Sequence, residues 1–138
     1  MMNAVYTASA TASGREGRAV SSDGILDVML ATPAQLGGTG TGTNPEQLFA
    51  AGYAACFASA MGVVARTMRI DASEASVTAD IGLKGSLAAG FALEAVLRVE
   101  LPSHLEGETG HQLVTKAHQV CPYSNATRGN IPVEIIID

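Results

Sequence analysis

The residues that decide the fold are Asn44-Pro45-Glu46-Gln47, followed by Leu48–Ala65, a run of 18 residues without a charge. Asparagine is favoured at a helix N-cap and proline at the first helical position, and a glutamine at the third position can reach back to the cap. The sequence therefore predicts a helix that starts at this cap and ends at about residue 69.

The uncharged run is as long as a membrane span. Seven of its residues are alanine and two are glycine, however, and Tyr53 and Ser59 add polar groups. This composition favours a helix buried in a soluble core, and we expect no membrane association. Gly52, Cys56 and Ala60 recur every fourth position, so another backbone can come close to Cys56.

Length and composition predict one domain, residues 1–138, large enough to bury a core without disulfides or metals. Charged residues make up only 15% of the chain and apolar residues 47%, which oligomerisation would explain. The net charge of −5 argues against nucleic acid as a partner. The N-terminus shows no signal peptide, so we expect a cytoplasmic protein, in which structural disulfides are rare.

Strands are expected before the central helix. Residues 4–10 form a weak candidate strand. Asp23-Gly24, between two apolar-alternating runs in Ala19–Leu30, is a strong β-hairpin signal. Residues 32–43 are rich in glycine and threonine and predict a loop that leads into the helix.

After the helix, alternation at residues 77–83 and 91–101 predicts two half-buried antiparallel strands. A second helix is expected at Ser103–Val120, with a capping pattern at Ser103 and Glu106 and a buried stripe of Leu113, Val114, Ala117 and Val120. A helical turn after Cys121 and a final strand at 131–138 complete the chain. The order βββ–α–ββ–α–β predicts a mixed α+β domain with a central buried helix packed on antiparallel sheets.

The histidines His104, His111 and His118 do not predict a metal site. His111 and His118 are seven residues apart, whereas paired ligands on a helix are usually three or four apart, and no carboxylates flank them. We expect no metal and no bound cofactor.

Cys56 is a candidate reactive residue if a cation lies beside it. A thiol with an ordinary pKa of about 8.5 is only a few per cent thiolate at neutral pH, and burial lowers that fraction. Lowering its pKa by two or three units takes roughly 3–4 kcal/mol, which an arginine held by a carboxylate can supply. Arg15 and Glu46 are candidates for this pair.

Glu46 and Cys56 cannot touch along one straight helix, because ten residues rise by about 15 Å. Arg15 could bridge the gap, the helix could bend near Gly52, or residues from two subunits could meet. The sequence does not choose among these arrangements.

Two long motifs carry a family resemblance: Asn-Pro-Glu-Gln-Leu-Phe-Ala-Ala-Gly-Tyr-Ala-Ala-Cys-Phe at 44–57, and His-Gln-Val-Cys-Pro-Tyr-Ser-Asn-Ala-Thr-Arg-Gly-Asn at 118–130. Together with Gly14-Arg15-Glu16-Gly17 and Ser21–Gly24, they resemble the organic hydroperoxide resistance proteins, the Ohr branch of the Ohr/OsmC superfamily. The segment that starts at Cys121 is similar to the Ohr branch rather than to the OsmC branch.

This resemblance implies an OsmC-like intertwined homodimer that reduces organic hydroperoxides to alcohols in defence against oxidative stress. Cys56 matches the peroxidatic cysteine, and Cys121 matches the resolving one. Arg15 matches the catalytic arginine, and Glu46 matches the carboxylate that orients it. Arg15 is chosen over Arg18 because it holds the Gly-Arg-acidic-Gly position.

The implied reaction forms a sulfenic acid at Cys56 and then a Cys56–Cys121 disulfide. Lipoyl groups on carrier proteins, or dihydrolipoamide, are the implied dithiol reductant. The small residues around Cys56, with Tyr53, Phe57 and Met61 nearby, predict an apolar pocket that suits alkyl or lipid hydroperoxides.

Two other functions fit parts of the sequence. A cysteine hydrolase could pair His118 with Cys121, three residues apart, although no oxyanion motif accompanies them. A non-catalytic stress or binding protein of the same fold would carry inert thiols, and thiol titration would distinguish it from an enzyme.

Overall fold

The computed structural model describes residues 3–138, and Met1 and Met2 of the predicted domain lie outside this range. Within it the elements follow the order βββ–α–ββ–αα–β. The strands and helices are β1 (Ala10–Ala12), β2 (Gly17–Ser21), β3 (Asp27–Leu30), α1 (Pro45–Met68), β4 (Ser76–Ser86), β5 (Gly90–Glu100), α2 (Glu108–Val120), α3 (Pro122–Thr127) and β6 (Val133–Ile137). The predicted α+β class is confirmed.

The chain divides into two compact units, of which the first ends at Leu48 and the second begins at Phe49. Helix α1 starts in the N-terminal unit and continues through the C-terminal unit. The single domain expected from the sequence stays a prediction.

The N-terminal unit holds the antiparallel sheet β1-β2-β3. The predicted hairpin is confirmed, and the Asp23 carboxylate closes its turn by accepting from the Ile25 N–H and the Ser21 hydroxyl. The strand predicted at 4–10 is wrong in its position. Strand β1 begins only at Ala10, because the register pairs Ala10–Ala12 with the residues of β2.

The start of α1 is confirmed by its cap, since the Gln47 N–H donates to Asn44 Oδ1 at 2.8 Å. The Gln47 side chain does not close a capping box; it accepts from the Thr43 hydroxyl at 2.6 Å. The helix ends at Met68, and Arg69 adopts a left-handed conformation with φ of 58°.

In the C-terminal unit, α1 provides one wall of the hydrophobic core. By length and composition alone, α1 is the one helix within residues 3–138 that could cross a membrane. Tyr53, Phe57 and Met61 are fully buried in the protein, which identifies it as a core helix. The buried core consists of Tyr53, Phe57, Ala60, Met61, Val64, Ala65, Ala95, Leu97, Val99, Leu105, Leu113, Val114, Ala117 and Cys121.

The sheet of this unit has the order β4-β5-β6. The predicted β4–β5 pair is antiparallel, with Ala95, Leu97 and Val99 buried and Arg98 exposed on the other face. Strand β6 is parallel to β5, so the expectation of purely antiparallel sheets is corrected. The helices between β5 and β6 return the chain to the same end of the sheet, as a parallel pair requires.

The second predicted helix begins later than expected. Ser103–Leu105 form a 3₁₀ turn, and Gly107, with φ of 88°, precedes α2 as its N-cap without a side-chain hydrogen bond. The expected Ser103–Glu106 cap is therefore wrong. Val120 is 51% exposed and does not belong to the buried stripe, whereas the helical turn expected after Cys121 is confirmed as α3.

Candidate active site

The two cysteines are free thiols and lie in contact, with the Cys121 and Cys56 sulfurs 3.6 Å apart. Cys56 lies in the middle of α1. Cys121 joins α2 to α3, where its N–H donates to the Ala117 carbonyl and Pro122 takes the first position of the next helix. Pro122 therefore leaves Cys121 at a helix boundary.

The thiols differ in accessibility, because Cys121 is fully buried and Cys56 is partly exposed. A cavity of about 280 Å³ reaches Cys56 and is lined by Cys56, Ser59, Ala60, Val63, Val120 and Pro122. Its walls are mostly apolar, as predicted. The expected wall residues Tyr53, Phe57 and Met61 are core residues instead, because they occupy the buried stripe of α1.

A tyrosine ring packs on α1 one turn before Cys56. A Cβ added to Gly52 would lie 2.7 Å from the Tyr123 hydroxyl oxygen and 3.2 Å from its ring carbons. The Tyr123 ring also meets Phe49 edge-on, with centroids 5.8 Å apart. The small residue at position 52 therefore admits an aromatic side chain beside Cys56, rather than the backbone expected from the sequence.

Burial raises the pKa of the Cys56 thiol above its ordinary value. A hydrogen bond from the Tyr123 backbone N–H opposes this effect, and the neighbouring Cys121 adds to it. Within the C-terminal unit, Cys56 is thus in contact with Cys121, and burial favours its neutral thiol over the thiolate.

The N-terminal unit contains the other predicted pair. Arg15 donates to both Glu46 carboxylate oxygens, from Nη1 at 2.8 Å and from Nη2 at 3.0 Å. This bidentate hydrogen bond lowers the pKa of Glu46 and raises that of Arg15. The Glu46 side chain is 18% exposed and that of Arg15 is 38% exposed.

The loop that carries Arg15 is also held by the next residue, Glu16. Glu16 accepts hydrogen bonds from the backbone N–H and the hydroxyl of Thr32, at 3.1 and 2.9 Å. Arg18, the rejected alternative, instead pairs with the exposed Asp27 across strands β2 and β3. The four predicted site residues thus form two pairs, Arg15–Glu46 in one unit and Cys56–Cys121 in the other.

His118 does not form the dyad that a cysteine hydrolase would need. Its Nδ1 is hydrogen-bonded to Ser124 Oγ at 2.8 Å, and Ser124 Oγ also lies 2.8 Å from the Tyr53 hydroxyl. These polar partners were missed in the sequence. The only sequence signal for them was the position of Ser124. It lies three residues after Cys121, and in a helix capped by Cys121 the backbone N–H at that position is the one that donates to the N-cap side chain.

Within residues 3–138, no group of three histidine, cysteine or acidic side chains is placed to hold a metal ion. A larger cleft, of about 500 Å³, lies beside α2 and β6 and is lined by His118 and Arg128 among others. It contains neither cysteine, so the smaller cavity is the better candidate for a substrate site.

Comparison with known proteins identifies the family. Residues 38–136 match the model of the OsmC-like proteins. An organic hydroperoxide resistance protein of Xanthomonas axonopodis pv. citri is 54% identical over 136 residues, which cover 96% of this chain and 94% of the relative.

Solved structures of organic hydroperoxide resistance proteins have the same fold as this chain. An organic hydroperoxide resistance protein from Elizabethkingia anophelis superposes with a TM-score of 0.91 at 45% identity, covering 99% of both chains. OhrB of Bacillus subtilis gives a TM-score of 0.86 at 41% identity, covering 98% of this chain and 100% of that one. This chain therefore belongs to the OsmC-like family and, within it, to the organic hydroperoxide resistance proteins.

Proposed function

We propose that this protein is a cysteine-based peroxidase that reduces organic hydroperoxides to alcohols and protects the cell against oxidative stress. The observation that carries the proposal is the 3.6 Å contact between the partly exposed Cys56 and the buried Cys121. One sulfur is open to a substrate, and the other is already within reach of the first. The relatives' name, organic hydroperoxide resistance protein, supplies the substrate class.

In the first step the Cys56 thiolate attacks the distal oxygen of the hydroperoxide. The O–O bond breaks, the alkoxide takes a proton and leaves as the alcohol, and Cys56 becomes a sulfenic acid. The apolar walls of the Cys56 cavity favour alkyl or lipid hydroperoxides over hydrogen peroxide, because an alkyl chain gains free energy by leaving water.

In the second step Cys121 attacks the sulfenic sulfur. The S–S bond forms, the S–O bond breaks, and the hydroxyl group leaves with the Cys121 proton as water. An external dithiol then returns the disulfide to two thiols. By family resemblance we propose lipoyl groups, on carrier proteins or as dihydrolipoamide, as this reductant.

Arg15 is proposed as the catalytic cation and Glu46 as the group that orients it. The need for a cation follows from Cys56 itself, whose pKa burial raises. A guanidinium suits this role because it stays charged, and the bidentate bond to Glu46 fixes its plane.

We further propose that the protein acts as a homodimer in the cytoplasm. Helix α1 leaves a face of small residues exposed, including Ala51, Ala55 and Ala58, and Val63 is half-exposed beside them. An unpartnered apolar face of this kind is typical of an interface between copies. Two free thiols suit a reducing compartment.

The test is a free-thiol count with intact mass, before and after one equivalent of tert-butyl hydroperoxide. Wild type should lose both thiols and two hydrogen atoms of mass, whereas Cys121→Ser should accumulate a sulfenic acid that a dimedone probe captures. Unchanged thiols in wild type would reject the peroxidase and leave the non-catalytic binding protein as the better hypothesis.

A further inference from the structure

A chain of hydrogen bonds next to Cys121 has no part in the reaction described so far. It runs from His118 Nδ1 to Ser124 Oγ at 2.8 Å and from there to the Tyr53 hydroxyl at 2.8 Å. The Tyr53 oxygen lies 3.2 Å from Thr127 Oγ1, which donates to the Ser124 carbonyl at 3.1 Å. Tyr53, Ser124 and Thr127 are buried, so water does not compete for these bonds.

The number of hydroxyl protons fixes which group donates and which accepts in each hydrogen bond of this chain. Each hydroxyl has a single proton to donate. Thr127 gives its proton to the Ser124 carbonyl, so the Tyr53 hydroxyl must donate to Thr127. Ser124 must then donate to Tyr53, and the remaining bond requires His118 Nδ1–H to donate to Ser124.

His118 is therefore held with a proton on Nδ1. Burial lowers the pKa of His118, and the positive charge of Arg128 lowers it further, so the ring is neutral at and above neutral pH. The Arg128 guanidinium also donates to the His118 carbonyl. In the neutral ring, Nε2 carries no proton.

Ser124 connects this chain to the reacting sulfurs. Its backbone N–H donates to Cys121 Sγ at 3.5 Å, and Cys121 Sγ is 3.6 Å from Cys56 Sγ. The Ser124 hydroxyl is bonded on two sides at the same time. A residue held by two side-chain bonds thus directs its N–H at the sulfur that attacks in the second step.

We propose that His118, Ser124 and Tyr53 are positioning residues for disulfide formation, which hold the Cys121 sulfur against Cys56 through the Ser124 N–H. This inference rests on the proposed peroxidase function. In the step concerned the S–S bond forms, the S–O bond of the sulfenic acid breaks, and water leaves. Because the chain bonds to Cys121 and not to Cys56, it affects this step and leaves peroxide reduction unchanged.

The first test reads the His118 tautomer by ¹⁵N NMR of the reduced protein at about pH 8, where a histidine of lowered pKa is neutral. Wild type should show a proton on Nδ1. In Tyr53→Phe the Ser124 proton loses its acceptor and should turn to His118 Nδ1, which moves the ring proton to Nε2. A wild-type ring protonated on Nε2 alone, or no change in Tyr53→Phe, would overturn the proposal.

The second test times the two steps separately in a single turnover with tert-butyl hydroperoxide. Loss of peroxide reports the first step, and the intact mass of acid-quenched samples reports the disulfide. In His118→Leu the disulfide step should slow by at least about tenfold, the order expected when a reacting group is misplaced, while peroxide loss stays within about twofold. His118→Asn, which keeps an N–H donor near the place of Nδ1, should restore most of the rate.

The matched control is His111→Asn, an exposed histidine on the same helix, which should leave both steps unchanged. Equal disulfide rates in wild type and His118→Leu would overturn the proposal, as would equal slowing of both steps. If His118→Leu does not fold, Tyr53→Phe provides the same kinetic comparison. Failure of wild type to consume peroxide would instead reject the proposed function. The tautomer measurement does not require peroxidase activity, so its result would still test the hydrogen-bond chain.

Discussion

The Arg15–Glu46 pair and the Cys56–Cys121 pair differ in charge, in burial and in what holds them. Arg15 and Glu46 carry opposite charges, keep contact with solvent and are joined by two hydrogen bonds. The two cysteines are free thiols, Cys121 is fully buried, and burial raises the pKa of Cys56. The C-terminal unit holds two sulfurs in contact, and the N-terminal unit holds the arginine that we propose as the activating cation.

This difference has a physical reason. A cation buried beside a thiol in an apolar core would be costly to desolvate, whereas a cation near the surface keeps part of its hydration. Under the proposed function Arg15 therefore acts on Cys56 while it stays partly hydrated and paired with Glu46, and the apolar cavity takes up the alkyl chain. The following experiments test whether the two pairs act together.

The largest effect is expected for Arg15→Ala. Without the guanidinium only the Tyr123 N–H opposes the burial that raises the pKa of Cys56, so peroxide reduction at neutral pH should fall by at least about a hundredfold. In a Cys121→Ser background, alkylation of Cys56 by iodoacetamide should also shift to higher pH in this variant. Stopped-flow peroxide consumption and the pH profile of alkylation measure the two results.

Arg18→Ala is the matched control, because Arg18 lies in the same part of the chain but pairs with the exposed Asp27. It should keep the wild-type rate and alkylation profile. An unchanged rate in Arg15→Ala, or an equal fall in both variants, would show that the charged pair and the cysteine pair do not cooperate in this way.

A smaller effect is expected for Glu46→Gln, which keeps the size of the side chain but removes its charge. The guanidinium stays charged but loses its ionic bidentate partner, so the peroxide-reduction rate should fall by about tenfold. A fall as large as that in Arg15→Ala would mean that Glu46 does more than orient the arginine.

The same variant tests the pH dependence of stability. The pKa of Glu46 is lower in the folded protein than its ordinary value of about 4.3, so its contribution is present above that value. It is lost as the pH falls through the lowered pKa. The free energy of unfolding of wild type should exceed that of Glu46→Gln by no more than about 1 kcal/mol near neutral pH, and the difference should vanish in acid. A difference that persists in acid would contradict the ion-pair interpretation.

The smallest effects are expected at two glycines of α1. In Gly52→Ala the new Cβ would clash with the Tyr123 ring, so the gain of about 1 kcal/mol in helix propensity should be cancelled and disulfide formation should slow. In Gly62→Ala the new Cβ would have no described atom within 4 Å apart from its chain neighbours and the adjacent helix backbone, so that gain should appear in full. Urea unfolding compares the two, and a destabilised Gly62→Ala would indicate that a second copy packs there.

Much of this fold follows from local signals. The Asn44 cap, the Asp23-Gly24 turn and the alternation along β5 each depend on neighbouring residues, so the sequence alone predicts them. The parallel direction of β6 and the absence of a strand at residues 4–9 depend on which distant segments pair. No local pattern specifies such pairings.

The site shows the same limit. Motifs identified Cys56, Cys121, Arg15 and Glu46 as candidates, because the chemistry of these residue types is distinctive. The polar chain through Ser124 was not foreseen, since serine and tyrosine are common and the bonds of Tyr53 join residues more than seventy positions apart. Tyr53 was expected in the pocket because it lies close to Cys56 in the sequence. The sequence does not show which face of the helix is buried, and Tyr53 lies on the buried face.

The full burial of Cys121 gives the proposed disulfide only one open end. A reducing agent that enters the cavity meets the Cys56 sulfur first, so thiol exchange would form a mixed disulfide there and release Cys121 into the interior. The same shielding limits damage when peroxide is in excess. In the proposed reaction an oxidised Cys56 has the Cys121 thiol within reach, so disulfide formation competes with attack on a second hydroperoxide molecule, and Cys121 itself has no exposed sulfur to overoxidise.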